Sequence, residues 1–268
     1  MDGNRAPGFA SSLYGKARYF HSLHVRGQPL VLFNIWDAGS ARAVEGAGAR
    51  ALATGSWSVA SANGYEDGER VPLNFAIENL ARIVRATDLP VTIDLESGYG
   101  GTADNVGHTV ERSIEAGAIG CNIEDSYPAT GSLRGIADQA ARIGHARKAA
   151  EARQLPYFIN VRSDVFFVQP KPKTSDDERI ASVLERARAY AAAGADGLFV
   201  PGLVNATLIG RVAEESPLPL NVMVSDETPS LRELASLGVA RVSHGPRPYL
   251  SVMKKLQEAA REAMRIAE

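Results

Sequence analysis

Hydrophobic residues along this chain gather into short runs, many of them β-branched. They recur at 30–37 (LVLFNIWD), 49–56 (ARALATGS), 89–97 (LPVTIDLES) and 118–126 (AIGCNIEDS), then at 157–164 (YFINVRSD), 196–202 (DGLFVPG), 219–225 (PLNVMVS) and 239–245 (VARVSHG). Runs of this length, bounded by turn residues, read as buried strands. Between them lie stretches with helical periodicity, such as DNVGHTVERSIEAG, IADQAARIGHARKAAEAR and SDDERIASVLERARAYAAAG. In the last, Ile180, Val183, Leu184, Ala187 and Tyr190 share one face, and Asp176 and Asp177 stand where a helix N-terminus favours negative charge. Glycine in AGA or LGV repeatedly leads out of a helix, as a left-handed C-cap residue does.

Strand then helix, eight times over, predicts a (β/α)8 TIM barrel occupying residues 1–268 as a single domain. Residues 1–28 read as an N-terminal helical extension and 246–268 as a long terminal helix. A doubly wound sheet would carry G-x-G-x-x-G after its first strand; here that turn is WDAGSAR. With 45% hydrophobic and 22% charged residues and a net charge of −2, the chain is globular. It offers no basic patch for nucleic acid and no apolar run long enough for a membrane. It has one cysteine and lacks the order of a secretory signal, so the expectation is a cytoplasmic enzyme.

In a barrel the chemistry sits at the carboxyl ends of the strands. Strand alternation puts Asp94 and Glu96 on one face, Asn122 and Glu124 on the next strand's face, and Asn160, Arg162 and Asp164 on the one after. Three acids from adjacent strands repel unless protonated or bridged by a hard cation, so Asp94, Glu96 and Glu124 read as holders of Mg2+ or Mn2+. The competing reading is helix capping, or pairing with Arg162 in a buried network. Arg162 suits a substrate carboxylate or phosphate, with an ion pair to Glu124 or Asp164 as its alternative. The stretch 54–70 offers backbone N–H groups and Ser56 to an oxyanion, with Trp57 and Tyr65 able to close over a ligand. Cys121 has the parity of a helix-facing packing residue, His108 and His145 read as surface groups, and His244 ends the last strand. No lysine lies on a strand, Lys171 and Lys173 included, which excludes a Schiff-base aldolase.

The ordered set WDAGSARAVEGAGARALATGS, IDLESGYG, NIEDS and INVRSDV resembles the isocitrate lyase and phosphoenolpyruvate mutase superfamily from about residue 20 to 260. The resemblance implies a barrel whose last helix exchanges between subunits, giving a homo-oligomer of two or four chains. It also implies Mg2+ chelation of a small carboxylate substrate and bond cleavage through an enolate. Carried over, the metal set falls on Asp94, Glu96 and Glu124, and the substrate arginine on Arg162. The oxyanion turn falls on Gly55, Ser56 and Trp57, the gating-loop acid on Asp67, a strand-seven polar residue on Asn221 and an aromatic lining residue on Trp36.

Departures narrow the chemistry. Glu96 stands where the family usually has aspartate, and Pro201 where the lyases place a glutamate. The loop EDSYPATGSLRG lacks the cysteine and lysine of the lyases and the lysine and asparagine of the mutases. The favoured reading is a Mg-dependent carbon–carbon lyase or decarboxylase on a 2-oxo or 2-hydroxy acid, with Asp67, Tyr127 or a metal-bound water as proton donor. A phosphonopyruvate-type mutase or hydrolase, with Arg134 as its nearby cation, is the second. A non-catalytic oxo-acid binder is the third.

Overall fold

The computed structural model describes residues 12–168 and 174–265, so the first 11 positions of the N-terminal extension and the two loop lysines, Lys171 and Lys173, lie outside the described residues. Eight parallel strands form one sheet: β1 Leu30–Leu32, β2 Leu52–Ala53, β3 Val91–Asp94, β4 Gly120–Glu124, β5 Phe158–Arg162, β6 Gly197–Phe199, β7 Leu220–Met223 and β8 Arg241–Ser243. The order β1-β8-β7-β6-β5-β4-β3-β2 leaves one seam, between β1 and β2. A parallel bridge from Ile35 to Thr54 crosses it, with Ile35 N–H donating to Ala53 O at 2.9 Å. The predicted (β/α)8 barrel is the observed fold.

The helices are α1 Leu13–Ser22, α2 Ala38–Gly46, α3 Ser56–Ala62, α4 Leu73–Val84, α5 Ala103–Glu115, α6 Ile136–Ala152, α7 Asp176–Ala192, α8 Ala206–Glu215, α9 Leu231–Ser236 and α10 Arg247–Arg265. Their starts are written locally. Thr102 with Asn105, and Ser175 with Glu178, close reciprocal caps that satisfy otherwise orphaned N–H groups. The α7 residues expected to face inward are all buried. Cys121 is also buried, as its parity predicts, and burial pushes its thiol up to about 12.

The barrel interior is partly polar. Asn160 Nδ2 donates to Asn122 Oδ1 at 2.9 Å, and the buried Arg241 donates to the same oxygen at 3.2 Å. Gly120 gives this layer room, since a Cβ there would stand 2.7 Å from Phe158 O. Helix α1 closes the amino-terminal end, where Phe20 and His24 pack on Phe158. At the other end α10 leaves the barrel. Of its residues only Pro248 is buried, and Leu250, Val252, Leu256 and Met264 are exposed. The outer wall it leaves uncovered is an apolar groove of about 1000 Å3 between α2 and α9, with Val31 and Phe33 of the β1 segment at its base. No helix among the described residues is long and apolar enough to cross a membrane.

Candidate active site

A cavity of about 240 Å3 opens at the carboxyl ends of the strands, lined on its polar side by Asn34, Ser56, Asp67, Asp94, Asn122 and Arg162. Trp57, Phe167, Phe199 and Met223 make its apolar wall. Each polar group arrives on a strand end or on the loop that follows one, as barrel geometry requires. The larger outer groove is lined by no acid or histidine and shares no lining residue with this cavity.

Asp94 ends β3. One of its oxygens accepts the Ser56 N–H at 3.3 Å and the other the Glu96 N–H at 3.3 Å. Asp67 comes from the loop after α3. Burial against the mouth and the charge of Asp94 raise its carboxyl above the ordinary range, while Ser56 and Arg162 pull it back. Two acids therefore face one small space, and the ion pairs at this mouth are spent elsewhere. Arg162 binds Glu124 at 2.8 Å through Nη1 and Asp164 at 2.6 Å through Nε. The pairing held open as an alternative for Arg162 is thus realised twice. Its guanidinium also lies 4.9 Å from the centre of the Phe167 ring. Burial pushes the Glu124 carboxyl upward, opposed by Arg162 and reinforced by Asp164 and Asp94.

Glu96 departs from its expected direction. β3 stops at Asp94, and Glu96 has a φ of 51°, which breaks the alternation that would have aimed both acids alike. Its Oε2 accepts the N–H groups of Gly68 at 2.8 Å and Glu69 at 2.5 Å. Burial, Asp67 and Asp94 raise its carboxyl to about 7 against those two amides. Among the described residues no three His, Cys, Asp or Glu side chains converge as a ready metal cage. Asp94, Glu96 and Glu124 reach one end of the barrel but serve different partners. Asp94 and Asp67 both line the cavity with oxygens of the kind a hard cation takes, and among the described residues neither forms a salt bridge.

The other sequence assignments divide. Gly55, Ser56 and Trp57 line the cavity, although the Ser56 N–H is already given to Asp94. Asn221 is fully buried one layer down, accepting from Ser243 at 3.2 Å. Trp36 does not line the cavity; its ring meets Tyr249 of α10 edge-on at 5.1 Å. Tyr65 packs beside Phe75. Tyr127 lies against the Arg134 guanidinium, 4.0 Å from its ring centre, and Arg134 pairs with Asp138, so neither lines the cavity. His244 packs on Phe33 of the outer groove, 5.0 Å between rings.

Sequence reasoning missed several supports. Asn34 accepts the His244 and Gly245 N–H groups and donates to Thr54 O, tying the β1, β2 and β8 ends together around the mouth. Asp125, of opposite parity to Glu124, is fully buried and bound by Arg186 and Tyr190 of α7, both at 2.9 Å. Its other oxygen accepts the Asp164 N–H at 2.9 Å, so the brace fixes the acid that anchors Arg162. The charged pair in NIEDS was the available signal.

A family model described as phosphoenolpyruvate phosphomutase matches residues 20–264. The chain belongs to this family. A solved structure from Burkholderia cenocepacia J2315, described as a candidate phosphonomutase, is similar at 57% identity and a TM-score of 0.91, covering 94% of this chain and all of that one. The 2-methylisocitrate lyase of Salmonella typhimurium is 28% identical over 93% of this chain and 83% of its own length. The oxaloacetate decarboxylase of Pseudomonas syringae pv. tomato is 30% identical over 73% of this chain and 66% of its own. The family's named members thus include a phosphomutase, a lyase and a decarboxylase, so the family is one of enzymes.

Proposed function

We propose that the protein is a metal-dependent enzyme that breaks a carbon–carbon bond next to the carboxylate of a small 2-oxo or 2-hydroxy acid, as a lyase or decarboxylase. The observation carrying this reading is the small mouth cavity in which Asp94 and Asp67 face Arg162. Asp94 would hold Mg2+ or Mn2+, with Asp67 opposite. A divalent cation bound there supplies Lewis-acid stabilisation of negative charge developing on the substrate's oxygens. Arg162, fixed by Glu124 and Asp164, presents its remaining edge to a substrate oxygen and orients it. Asp67, with its raised carboxyl, is the group placed to give or take a proton at the reacting carbon. The wall of Trp57, Phe167, Phe199 and Met223 keeps water from that carbon. Tyr127, turned against Arg134, is not the donor in this account.

A phosphonate mutase or hydrolase is the second reading, favoured by the 57% identity to the Burkholderia protein. Against it, Arg162 is the one cation among the described residues lining the cavity, and it already serves two carboxylates. A binder without turnover remains the third. Incubation with oxaloacetate, methylisocitrate, dimethylmalate and phosphonopyruvate, each with Mg2+ or Mn2+, separates them. Pyruvate, succinate or propionate released without phosphate supports cleavage; phosphate or phosphonate rearrangement from phosphonopyruvate alone supports the second; oxalate binding with no turnover supports the third. We further propose that the chain works as a homo-oligomer in the cytoplasm, the exposed apolar face of α10 covering the outer groove of a second copy.

A further inference from the structure

Two glutamates, Glu96 and Glu69, close a reciprocal clasp beside the mouth. Glu96 reaches from the turn after β3 to the loop after α3 and accepts the Gly68 and Glu69 N–H groups at 2.8 and 2.5 Å. Glu69 reaches back: its Oε1 accepts Ser97 Oγ–H at 2.7 Å and Tyr99 N–H at 2.8 Å. The Tyr99 hydroxyl completes the ring of bonds to Glu96 Oε1 at 3.3 Å. Glu69, Glu96 and Tyr99 all have positive φ, 60°, 51° and 55°. Non-glycine residues adopt that conformation at a cost, and three together persist only where side-chain bonds over-determine the backbone.

The clasped loop carries Asp67, immediately before Gly68. Holding the Gly68 and Glu69 amides therefore fixes where Asp67 stands relative to Asp94. We infer that Glu96 and Glu69 are positioning residues, a latch that holds the 64–70 loop shut and aims Asp67 into the mouth, and that Glu96 does not itself ligate a metal ion. The longer side chain at 96 fits this role: aligned with a family aspartate, it has the extra methylene needed to reach past the mouth to the neighbouring loop. The claim rests on the proposed metal-dependent function only where it concerns what Asp67 does once it is placed.

Three variants test it: Glu69→Ala removes the return arm, Glu69→Gln keeps an acceptor oxygen for Ser97 and Tyr99, and Glu96→Gln keeps one for the two loop amides. Amide hydrogen exchange of 64–70 and of Tyr99 is read without metal. Mn2+ affinity in the presence of oxalate is read by calorimetry. In Glu69→Ala, exchange is expected to quicken about tenfold or more and Mn2+–oxalate affinity to fall about tenfold, with Glu69→Gln restoring both most of the way. Glu96→Gln should weaken Mn2+ less than tenfold, where Asp94→Asn weakens it about a hundredfold. Unchanged exchange in Glu69→Ala overturns the latch. Faster exchange with unaltered affinity overturns its positioning role, and a loss in Glu96→Gln equal to that in Asp94→Asn restores Glu96 as a ligand. If the wild type takes up no Mn2+ with oxalate, the proposed function fails, while the exchange data still decide the latch.

Discussion

Arg162 is the residue on which the mouth's electrostatics turn. It satisfies two largely buried carboxylates, Glu124 and Asp164, at 2.8 and 2.6 Å. Removing one partner of a buried network leaves charge without compensation, which costs more than the pair contributes. Arg162→Met should therefore lower stability by about 3 kcal/mol in urea denaturation, as well as abolish turnover. A surface-like loss below about 1 kcal/mol would show the triad to be solvated. At the opposite end, His24 stacks on Phe158 at 4.0 Å, and its buried Nε2 has no partner among the described residues. Burial, with Arg241 nearby, lowers it from 6.5 to about 3. Because the depressed value belongs to the folded state, the unfolded chain takes up the proton first. The neutral ring's contribution is whole above pH 6.5 and is lost as pH falls towards 3. Between pH 6.5 and 5 the loss is about 2 kcal/mol, and His24→Phe should remove that part of the acid sensitivity. Parallel pH–stability curves for the two proteins would refute the assignment.

At the scale of elements, α7 does more than cover the barrel. Through Arg186 and Tyr190 it grips Asp125 at the end of β4, and Asp125 in turn orders Asp164. Tyr190→Phe should cost about 1–2 kcal/mol by thermal or urea unfolding, the loss of a buried bond to a charged acceptor. It should also slow turnover at saturating substrate more than it raises KM, because the reach to Arg162 is indirect. The helix itself was legible from its apolar spacing, and the eight strands from their β-branched runs, because burial of one face repeats with a fixed period. The turn after β3 was not. Alternation aims Asp94 and Glu96 together only while the chain stays extended, and the left-handed backbone at Glu96 ends that. The partners of Glu96 lie 27 and 28 positions upstream, in a loop with no periodic signal. Local pattern locates the mouth, but which acid meets which group is set by loop conformation. Trp36 and Tyr127 show the same limit, each at the right end of a strand yet turned to a neighbour on the rim.

At the scale of the whole molecule, two apolar surfaces lie uncovered among the described residues: the groove over β1 and the exposed face of α10 with Leu250, Leu256 and Met264. A monomer rarely leaves both bare. Light scattering should report a dimer or tetramer, and Leu256→Glu should shift it towards monomer; a monomeric wild type at micromolar concentration would contradict that assembly. Trp36 and Trp57 both meet Tyr249 on α10, so loss of assembly should also disturb the cavity rim. What unites these scales is a barrel that spends Glu124 and Asp164 on ion pairs with Arg162, and Glu96 on loop amides, while Asp94 and Asp67 face the cavity. Calorimetric titration of Mg2+ into the protein with oxalate present tests that most directly. One ion per chain, bound tightly enough to saturate at millimolar Mg2+ and lost in Asp94→Asn, is the predicted result; no heat of binding in the wild type, or equal binding in Asp94→Asn, would contradict it.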